Sequence, residues 1–233
     1  MKSYKWFEPK QIVMGNIDSA TEDTGNRRNM SVGLRKVYNR EDISCLQSFA
    51  AFLQRFGKAP LAGIKYINAN SEVIRVKKGT ILVKAGESNS NVYFIYQGVV
   101  RGYMTNDKKD ITTWIAEDGE MAATIRNFDV PLPSDEEIEV IEDAVLVKIS
   151  QEVLDYVYDK YPASNKIGRL VISLNYREAE ERAYVSRIPS AEGRYRRFIE
   201  YRGSLVNRIP LKYIASYLGM NLETLSRIRN KVK

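Results

Sequence analysis

The sequence predicts an α+β protein, in which a β domain is enclosed between helical segments. Short runs of β-branched and aromatic residues follow one another at regular spacing between residues 72 and 149, and glycines such as Gly79, Gly86 and Gly98 mark turns between them. Many short strands in this arrangement are typical of an antiparallel sandwich or barrel. Beyond Ser150 the apolar residues recur at helical spacing instead.

This patterning divides the chain into four regions. Residues 1–38 are polar and irregular, and we expect a flexible extension there. Residues 39–150 are predicted to form the β domain, which begins with a helix over residues 41–56. Residues 151–188 are predicted to form connecting and dimerisation helices, and residues 189–233 a basic helical domain.

The composition excludes several classes of site. The chain has no histidine and one cysteine, Cys45, so histidine-based zinc sites, Ser-His-Asp triads and histidine-ligated haem are excluded. One cysteine cannot hold a four-cysteine iron–sulfur cluster by itself. We therefore expect no metal site, no known cofactor and no enzymatic activity. The absence of a long apolar run and of paired cysteines favours a cytoplasmic protein without a membrane partner.

The net charge of +7 is distributed unevenly. Residues 182–233 contain 12 Lys and Arg against 3 Glu, whereas residues 117–143 contain 10 acidic residues against one arginine. A basic C-terminal region joined to an acidic one indicates a polyanion, such as nucleic acid, as the partner of the former.

A long helix is predicted over residues 162–187. Its apolar stripe suits a homodimer interface, although packing against its own chain is the alternative that the pattern leaves open. The stripe consists of Ile167, Leu170, Val171 and Leu174.

Residues 211–231 predict a helix-turn-helix. The small Ala215 allows a second helix to cross closely, and Gly219, four residues later, permits a left-handed turn. The apolar Leu225 and Ile228 follow six and nine residues after that glycine. This spacing is typical of the helix-turn-helix of DNA-binding proteins.

The exposed side of the second helix carries side chains that suit base recognition, because arginine can donate two hydrogen bonds to guanine and glutamate can accept one from cytosine. The predicted base-contacting residues are Asn221, Leu222, Glu223, Ser226, Arg227 and Asn230. The predicted phosphate-contacting residues are Arg208, Lys212, Thr224, Arg229 and Lys231.

From about residue 66 to residue 231, the layout resembles the Crp/Fnr family. The motifs that carry this resemblance are KKGTILVKAGE, VYFIYQGVVRGY and EDGEMAAT in the β domain, the long helix, and LETLSR at residues 222–227, which is similar to the Fnr-type recognition sequence. RIPLKYIASYLG at residues 208–219 is similar to regulators of the Bacteroidetes.

The resemblance implies a jelly-roll effector domain like those that bind cyclic nucleotides, a dimerisation helix and a winged-helix-like DNA-binding domain. It implies a homodimer on an inverted-repeat operator in double-stranded DNA, with half-sites resembling TTG, and RNA polymerase as a further candidate partner. No wing hairpin is expected after the recognition helix, because the sequence ends at Lys233.

The effector domain departs from the cyclic AMP-binding members. Gly119 and Glu120 match the opening of their phosphate-binding cassette, but the position of the phosphate-binding arginine falls on about Ser134, among acidic residues. Arg126, the nearby cation, lies on the wrong side of this loop by the same count. A cyclic phosphate there would meet like charge, so we expect no cyclic AMP binding and leave the effector open. The candidate effector pocket comprises Tyr93, Ile95, Gly119, Glu120, Met121, Thr124 and Ile138.

An alternative belongs to a different class. The β domain could serve as a ligand- or protein-binding module while a degraded helix-turn-helix no longer recognises DNA. The missing wing favours this alternative slightly, whereas the intact recognition face opposes it.

Overall fold

The computed structural model describes residues 38–124 and 132–232, which belong to one compact unit spanning residues 36–233. The predicted extension over residues 1–38 therefore lies outside the described residues, except for Tyr38. The helices are α1 (Arg40–Gln54), α2 (Leu61–Asn70), α3 (Gln151–Lys160), α4 (Ala163–Arg187), α5 (Ala191–Arg202), α6 (Leu211–Tyr217) and α7 (Leu222–Lys231), with a 3-10 helix at Gly203–Asn207. The strands are β1 (Glu72–Val76), β2 (Ile81–Val83), β3 (Asn91–Asn106), β4 (Lys109–Ala116), β5 (Met121–Ala122) and β6 (Glu137–Ser150).

All strand pairs described are antiparallel, and the sheet has the order β1-β6-β3-β4, with β2 added to β6 and β5 to β3. The turn predicted at Gly98 is wrong: β3 continues through it as one strand of 16 residues. Gly98 has φ +110° and forms an irregularity in the pairing with β6. A Cβ atom at this position would lie 2.6 Å from the Cβ of Ala144, so only glycine fits.

The two faces of the long strands are buried in different cores, because neighbouring side chains of a strand point to opposite faces. On one face Tyr93, Ile95 and Leu146 pack within the β domain. On the other face Phe94 and Val147 pack against the aromatic side of α1. The helix α2, which completes that second layer, was not predicted from the sequence.

A third core joins the sheet to the C-terminal helices. Val99, Ile115 and Ile141 of the strands cluster with Val185 of α4 and with the buried side chains of α5, α6 and α7. All elements in residues 189–232 are helical, so the winged part of the predicted fold is not found in the described residues. The helices α5 to α7 therefore bury their apolar side against one another and against the β domain.

Candidate functional site

The helices α6 and α7 meet at a tight turn of the kind predicted. Gly219 has φ +62°, and the backbone N–H of Met220 donates to the carbonyl of Ala215 at 3.0 Å. The side chain of Asn221 begins α7 by accepting a hydrogen bond from the backbone N–H of Thr224 at 3.3 Å. Because Leu225 is fully buried between the helices, the orientation of α7 is fixed.

The outer side of α7 is open to solvent. The six predicted base-contacting residues are all exposed, and even the apolar Leu222 has 43% of its surface accessible. Glu223 and Arg227 lie one helical turn apart, and neither takes part in an ion pair within the described residues. We call this surface the reading face; it comprises Asn221, Leu222, Glu223, Ser226, Arg227 and Asn230.

Four of the five predicted phosphate-contacting residues lie on α6 and α7 themselves. Lys212 is exposed at the start of α6, and its ammonium nitrogen lies 4.8 Å from the centre of the Tyr213 ring. Lys231 is exposed at the end of α7, and Thr224 is half-buried. The guanidinium of Arg229 donates to the side chain of Asn207 at 3.0 Å.

The fifth, Arg208, is bound to the β domain instead. Its guanidinium donates to Glu142 at 3.0 Å and to Glu117 at 3.1 Å, and it also pairs with Asp118. Hydrogen bonding to Asp118, opposed by partial burial, raises the pKa of Arg208 above its usual range. In this structure carboxylates thus occupy the positions in which phosphate oxygens were expected.

The carboxylates come mainly from a turn at residues 117–120, which we call the acidic turn. Gly119 has φ +81°, and its N–H donates to the carbonyl of Ile95 at 2.7 Å, which attaches the turn to β3. The side chain of Asp118 accepts from the N–H of Gly98 at 2.7 Å. The local sequence that opens the predicted effector cassette is therefore directed at the C-terminal helices.

A second arginine of the basic region, Arg202 at the end of α5, also binds the acidic turn. It pairs with Glu120 and, at 3.1 Å, with Glu178 of α4. Burial raises the pKa of Glu120, while the charge of Arg202 opposes that rise. Because only 15% of the Arg202 side chain is accessible, this pair belongs to the interior of the molecule.

Arg101 of β3 forms a further contact between the sheet and α6 that the sequence did not reveal. Only 3% of its side chain is accessible, and it lies 4.0 Å from the ring centre of Tyr103 and 4.1 Å from that of Tyr213. It also pairs with Glu139 and Asp110. This stacked arginine holds the first helix of the α6–α7 pair on the β domain.

The seven candidate effector residues do not line one cavity in the described part of the chain. Three of them fill the core of the β domain, namely Tyr93, Ile95 and Ile138. Gly119 and Glu120 belong to the acidic turn, and Thr124 is buried with its hydroxyl 3.2 Å from the Asn89 amide nitrogen. Met121 alone among the seven lines the cavity described next.

That cavity lies between the sheet and the helices α1 to α4, and its volume is about 690 Å³. Its wall is predominantly apolar, with Phe52 of α1, Ile64 of α2, Ile149 of β6 and Val171 of α4 among the lining residues. It is therefore formed largely by the layer of helices outside the β-domain core.

The position expected for a phosphate-binding arginine holds a buried serine. Ser134 is 1% exposed, and its hydroxyl donates to the Glu136 carbonyl at 2.8 Å and accepts from the Glu136 N–H at 3.0 Å. Both hydrogen bonds of this hydroxyl therefore stabilise the local turn. Arg126, the other cation considered for this site, lies outside the described residues.

The predicted dimer stripe on α4 is only partly available to a second molecule. Ile167 is buried, and Val171 packs against the core beneath α1, so these two contact their own chain. Leu170 and Leu174 are half-buried. The exposed apolar side chains of α4 include Ile172 at 65% and Tyr176 at 62%. The spacing of Ile172, Tyr176, Ala179 and Ala183 by four, three and four residues could have indicated this second stripe.

Cys45 is fully buried in α1, and burial raises the pKa of its thiol to about 11. It is thus a packing residue. No helix of the described residues is long and apolar enough to cross a membrane.

Comparison with known proteins agrees with this geometry. Residues 73–161 match the family model described as a cyclic nucleotide-binding domain, and no curated protein sequence matches the chain. FixK2 from Bradyrhizobium japonicum has a TM-score of 0.60 at 17% identity over 70% of this chain and 84% of that one. A protein described as a transcriptional regulator of the Crp/Fnr family from Eubacterium rectale has a TM-score of 0.58 at 20% identity over 74% and 83%. CLP from Xanthomonas campestris, described as a c-di-GMP responsive global regulator, has a TM-score of 0.57 at 16% identity over 74% and 91%.

At these identities the likeness establishes the fold. The predicted combination of a jelly-roll-like β domain with helices is confirmed, and the chain has the fold found in Crp/Fnr-type regulators.

Proposed function

We propose that the protein is a transcription regulator of the Crp/Fnr type that binds a specific DNA sequence through α7. The reading face carries this proposal: its six side chains are all exposed, while the opposite side of the helix is fixed by the buried Leu225 and Ile228. A helix held in this way can enter the major groove without rearranging its own packing.

The chemistry of the reading face suits bases as well as phosphates. Glu223 and Arg227 are one turn apart on the same side of α7 and can reach neighbouring base pairs, the first accepting from cytosine and the second donating to guanine. Lys212 and Lys231 are exposed on either side and can neutralise phosphates. The proposed operator is an inverted repeat with half-sites resembling TTG.

Two copies are needed for useful specificity, because one helix contacts only a few base pairs. The exposed Ile172 and Tyr176 support α4 as the dimer interface. With Ala179 and Ala183 they form a stripe of coiled-coil spacing. Ile172, Tyr176 and Ala179 of this stripe also line the rim of the cavity between the sheet and α1 to α4.

The effector domain, in this proposal, does not bind cyclic AMP. Ser134 is buried and hydrogen-bonded, and Glu120 pairs with Arg202. The 690 Å³ cavity between the sheet and α1 to α4 has a mainly apolar wall, which favours an apolar molecule over a nucleotide as its occupant.

The proposal is tested by a gel-shift assay with the promoter region of the protein's own gene and a scrambled duplex of equal length and composition. We expect a shifted band for the promoter at protein concentrations that leave the scrambled duplex free. Arg227→Ala should reduce this preference, whereas Arg196→Ala, which deletes an equal charge from the exposed side of α5, should preserve it. Equal retention of promoter and scrambled DNA by the wild type, or no retention of either, would favour the alternative of a binding module without DNA recognition.

A further inference from the structure

The acidic turn and Glu142 surround a cation that lies beside the start of α6. Arg208 precedes Lys212 by four residues, and Lys212 is exposed where the backbone of a bound duplex would pass in the proposed function. A phosphate bound at Lys212 in the proposed complex would therefore be near, along the chain, to Arg208, whose carboxylate partners are Glu117, Asp118 and Glu142.

The charge around Arg208 and Arg202 is unbalanced. Two guanidinium groups meet five carboxylates within ion-pair distance. The excess negative charge repels DNA as long as it remains at the edge of α6. The same carboxylates belong to the chain that carries Arg208, so they compete with DNA phosphates for this arginine at a high effective concentration.

Arg202 and Arg208 differ in how easily they can separate from their carboxylate partners. Arg202 and Glu117 each have 15% of the side chain accessible, so separating this part of the cluster would leave buried charges unpaired. Arg208 is 26% accessible, and two of its three partners are more exposed, with Asp118 41% and Glu142 37% accessible. The third partner, Glu117, lies 3.1 Å from Arg208 and would keep Arg202 at 3.8 Å if Arg208 left. Exposed ion pairs are exchanged at little cost, because water can solvate both partners. Arg202 therefore fastens the helices to the sheet, and Arg208 is the exchangeable member.

We propose that Asp118 and Glu142 act as an internal substitute for DNA phosphate, which holds Arg208 in the free protein and lowers the affinity of the protein for every duplex. Binding to DNA transfers Arg208 from these carboxylates to a phosphate. This inference rests on the proposed function, since it assigns a regulation to the same DNA-binding surface.

The experiment removes the negative charges of Asp118 and Glu142 while preserving the shape of the two side chains. Asp118→Asn with Glu142→Gln keeps the oxygen of residue 118 that accepts from the N–H of Gly98. The matched control is Glu72→Gln with Asp159→Asn, which removes the same two charge types at exposed positions on β1 and α3. Binding to a fluorescein-labelled duplex of random sequence is measured by anisotropy over a range of salt concentrations.

We expect the Asp118→Asn, Glu142→Gln protein to bind the random duplex about tenfold more tightly at low salt than the control variant does. Its affinity should also fall more steeply with salt, because in the wild type salt weakens both the DNA contacts and the competing ion pairs. In an Arg208→Gln background the same two substitutions should give a clearly smaller gain, since they relieve only the repulsion by the carboxylates and release no cation.

Three results would overturn the inference. An equal gain with and without Arg208 would mean that the carboxylates merely repel DNA. No gain in the double variant, or a gain no larger than that of the control, would mean that Arg208 is not withheld from DNA. If the double variant does not fold by circular dichroism, Glu142→Gln alone should give a smaller gain in the same direction, and its absence counts equally against the inference. Failure of the proposed function is distinguished by the absence of duplex binding in the wild type and all variants at low salt.

Discussion

The reading face of α7 and the acidic turn of the β domain both carry charged side chains, but these differ in their partners: those of the reading face are unpaired within the described residues, whereas those of the acidic turn form ion pairs. Glu223 and Arg227 are exposed and take part in no ion pair within the described residues. Arg202 and Arg208, in the same basic region of the sequence, are held by carboxylates of the β domain and of α4. Charge that is satisfied within the chain stabilises the fold, whereas charge that is left open is available to a partner.

The same distinction applies to the apolar side chains of α4. Ile167 and Val171 pack within their own chain, and we call such positions satisfied. Ile172 and Tyr176 are exposed to solvent, and we call such positions open. Substitutions at open positions should therefore impair assembly or DNA binding and leave the fold intact. Substitutions at satisfied positions should do the reverse.

The largest effect is expected for the open side of α4. Ile172→Glu with Tyr176→Glu should produce monomers and reduce operator affinity by about 100-fold, because the two recognition helices no longer bind together. Light scattering measures the mass of the protein in solution, and fluorescence anisotropy measures its affinity for the operator. Tyr184→Glu, at an aromatic residue of the same helix that is 58% exposed but lies off this stripe, is the control. A double variant that keeps the wild-type mass would refute this interface.

Loss of a satisfied cation should affect the fold instead. Arg202→Ala leaves Glu120 buried without its partner and should lower the free energy of unfolding by about 3 kcal/mol. Arg196→Ala, on the same helix with 60% of its side chain accessible, should cost about 0.5 kcal/mol. Urea titration measures both. Equal losses for the two variants would show that the Arg202 cluster contributes no more than a surface pair.

Loss of an open cation should affect recognition. Arg227→Ala should cost about 1–3 kcal/mol of binding to the operator and relax the preference at one base pair, with the unfolding midpoint unchanged. Anisotropy on the operator and on single-base variants measures this preference. An equal loss on all sequences would mean that Arg227 contacts only phosphate.

Lys212→Ala should have a smaller and less selective effect. We expect operator and random duplex to be weakened alike, and the slope of log affinity against log salt concentration to decrease by about one unit. The measurement is a salt titration of both duplexes. A loss of affinity restricted to the operator would mean that Lys212 contacts a base.

The smallest signal is expected from cyclic AMP. Because Ser134 is buried and its hydroxyl is hydrogen-bonded to the backbone of Glu136, calorimetry should show no binding stronger than about 1 mM. Binding in the micromolar range would show that a phosphate partner exists at this site.

The features that the sequence predicted correctly are local. The turn between α6 and α7 depends on Gly219 and the cap on Asn221, which act within a few residues. The features that it missed join distant segments: Arg208 and Glu117 are separated by 91 residues, and Arg101 meets Tyr213 across the sheet. A count of basic residues cannot show which of them are already paired. The continuity of β3 through Gly98 was missed because a glycine with positive φ serves a turn and a bulge equally well.

Sequence-specific recognition by α7 can be measured by selection of binding sites from a pool of random duplexes. We expect the wild type to enrich an inverted repeat whose half-sites lie about one helical turn apart, and Arg227→Ala to enrich the same repeat with one position relaxed. Recovery of sequences without a shared motif would contradict sequence-specific recognition, because the exposed face of α7 would then bind DNA without distinguishing its bases.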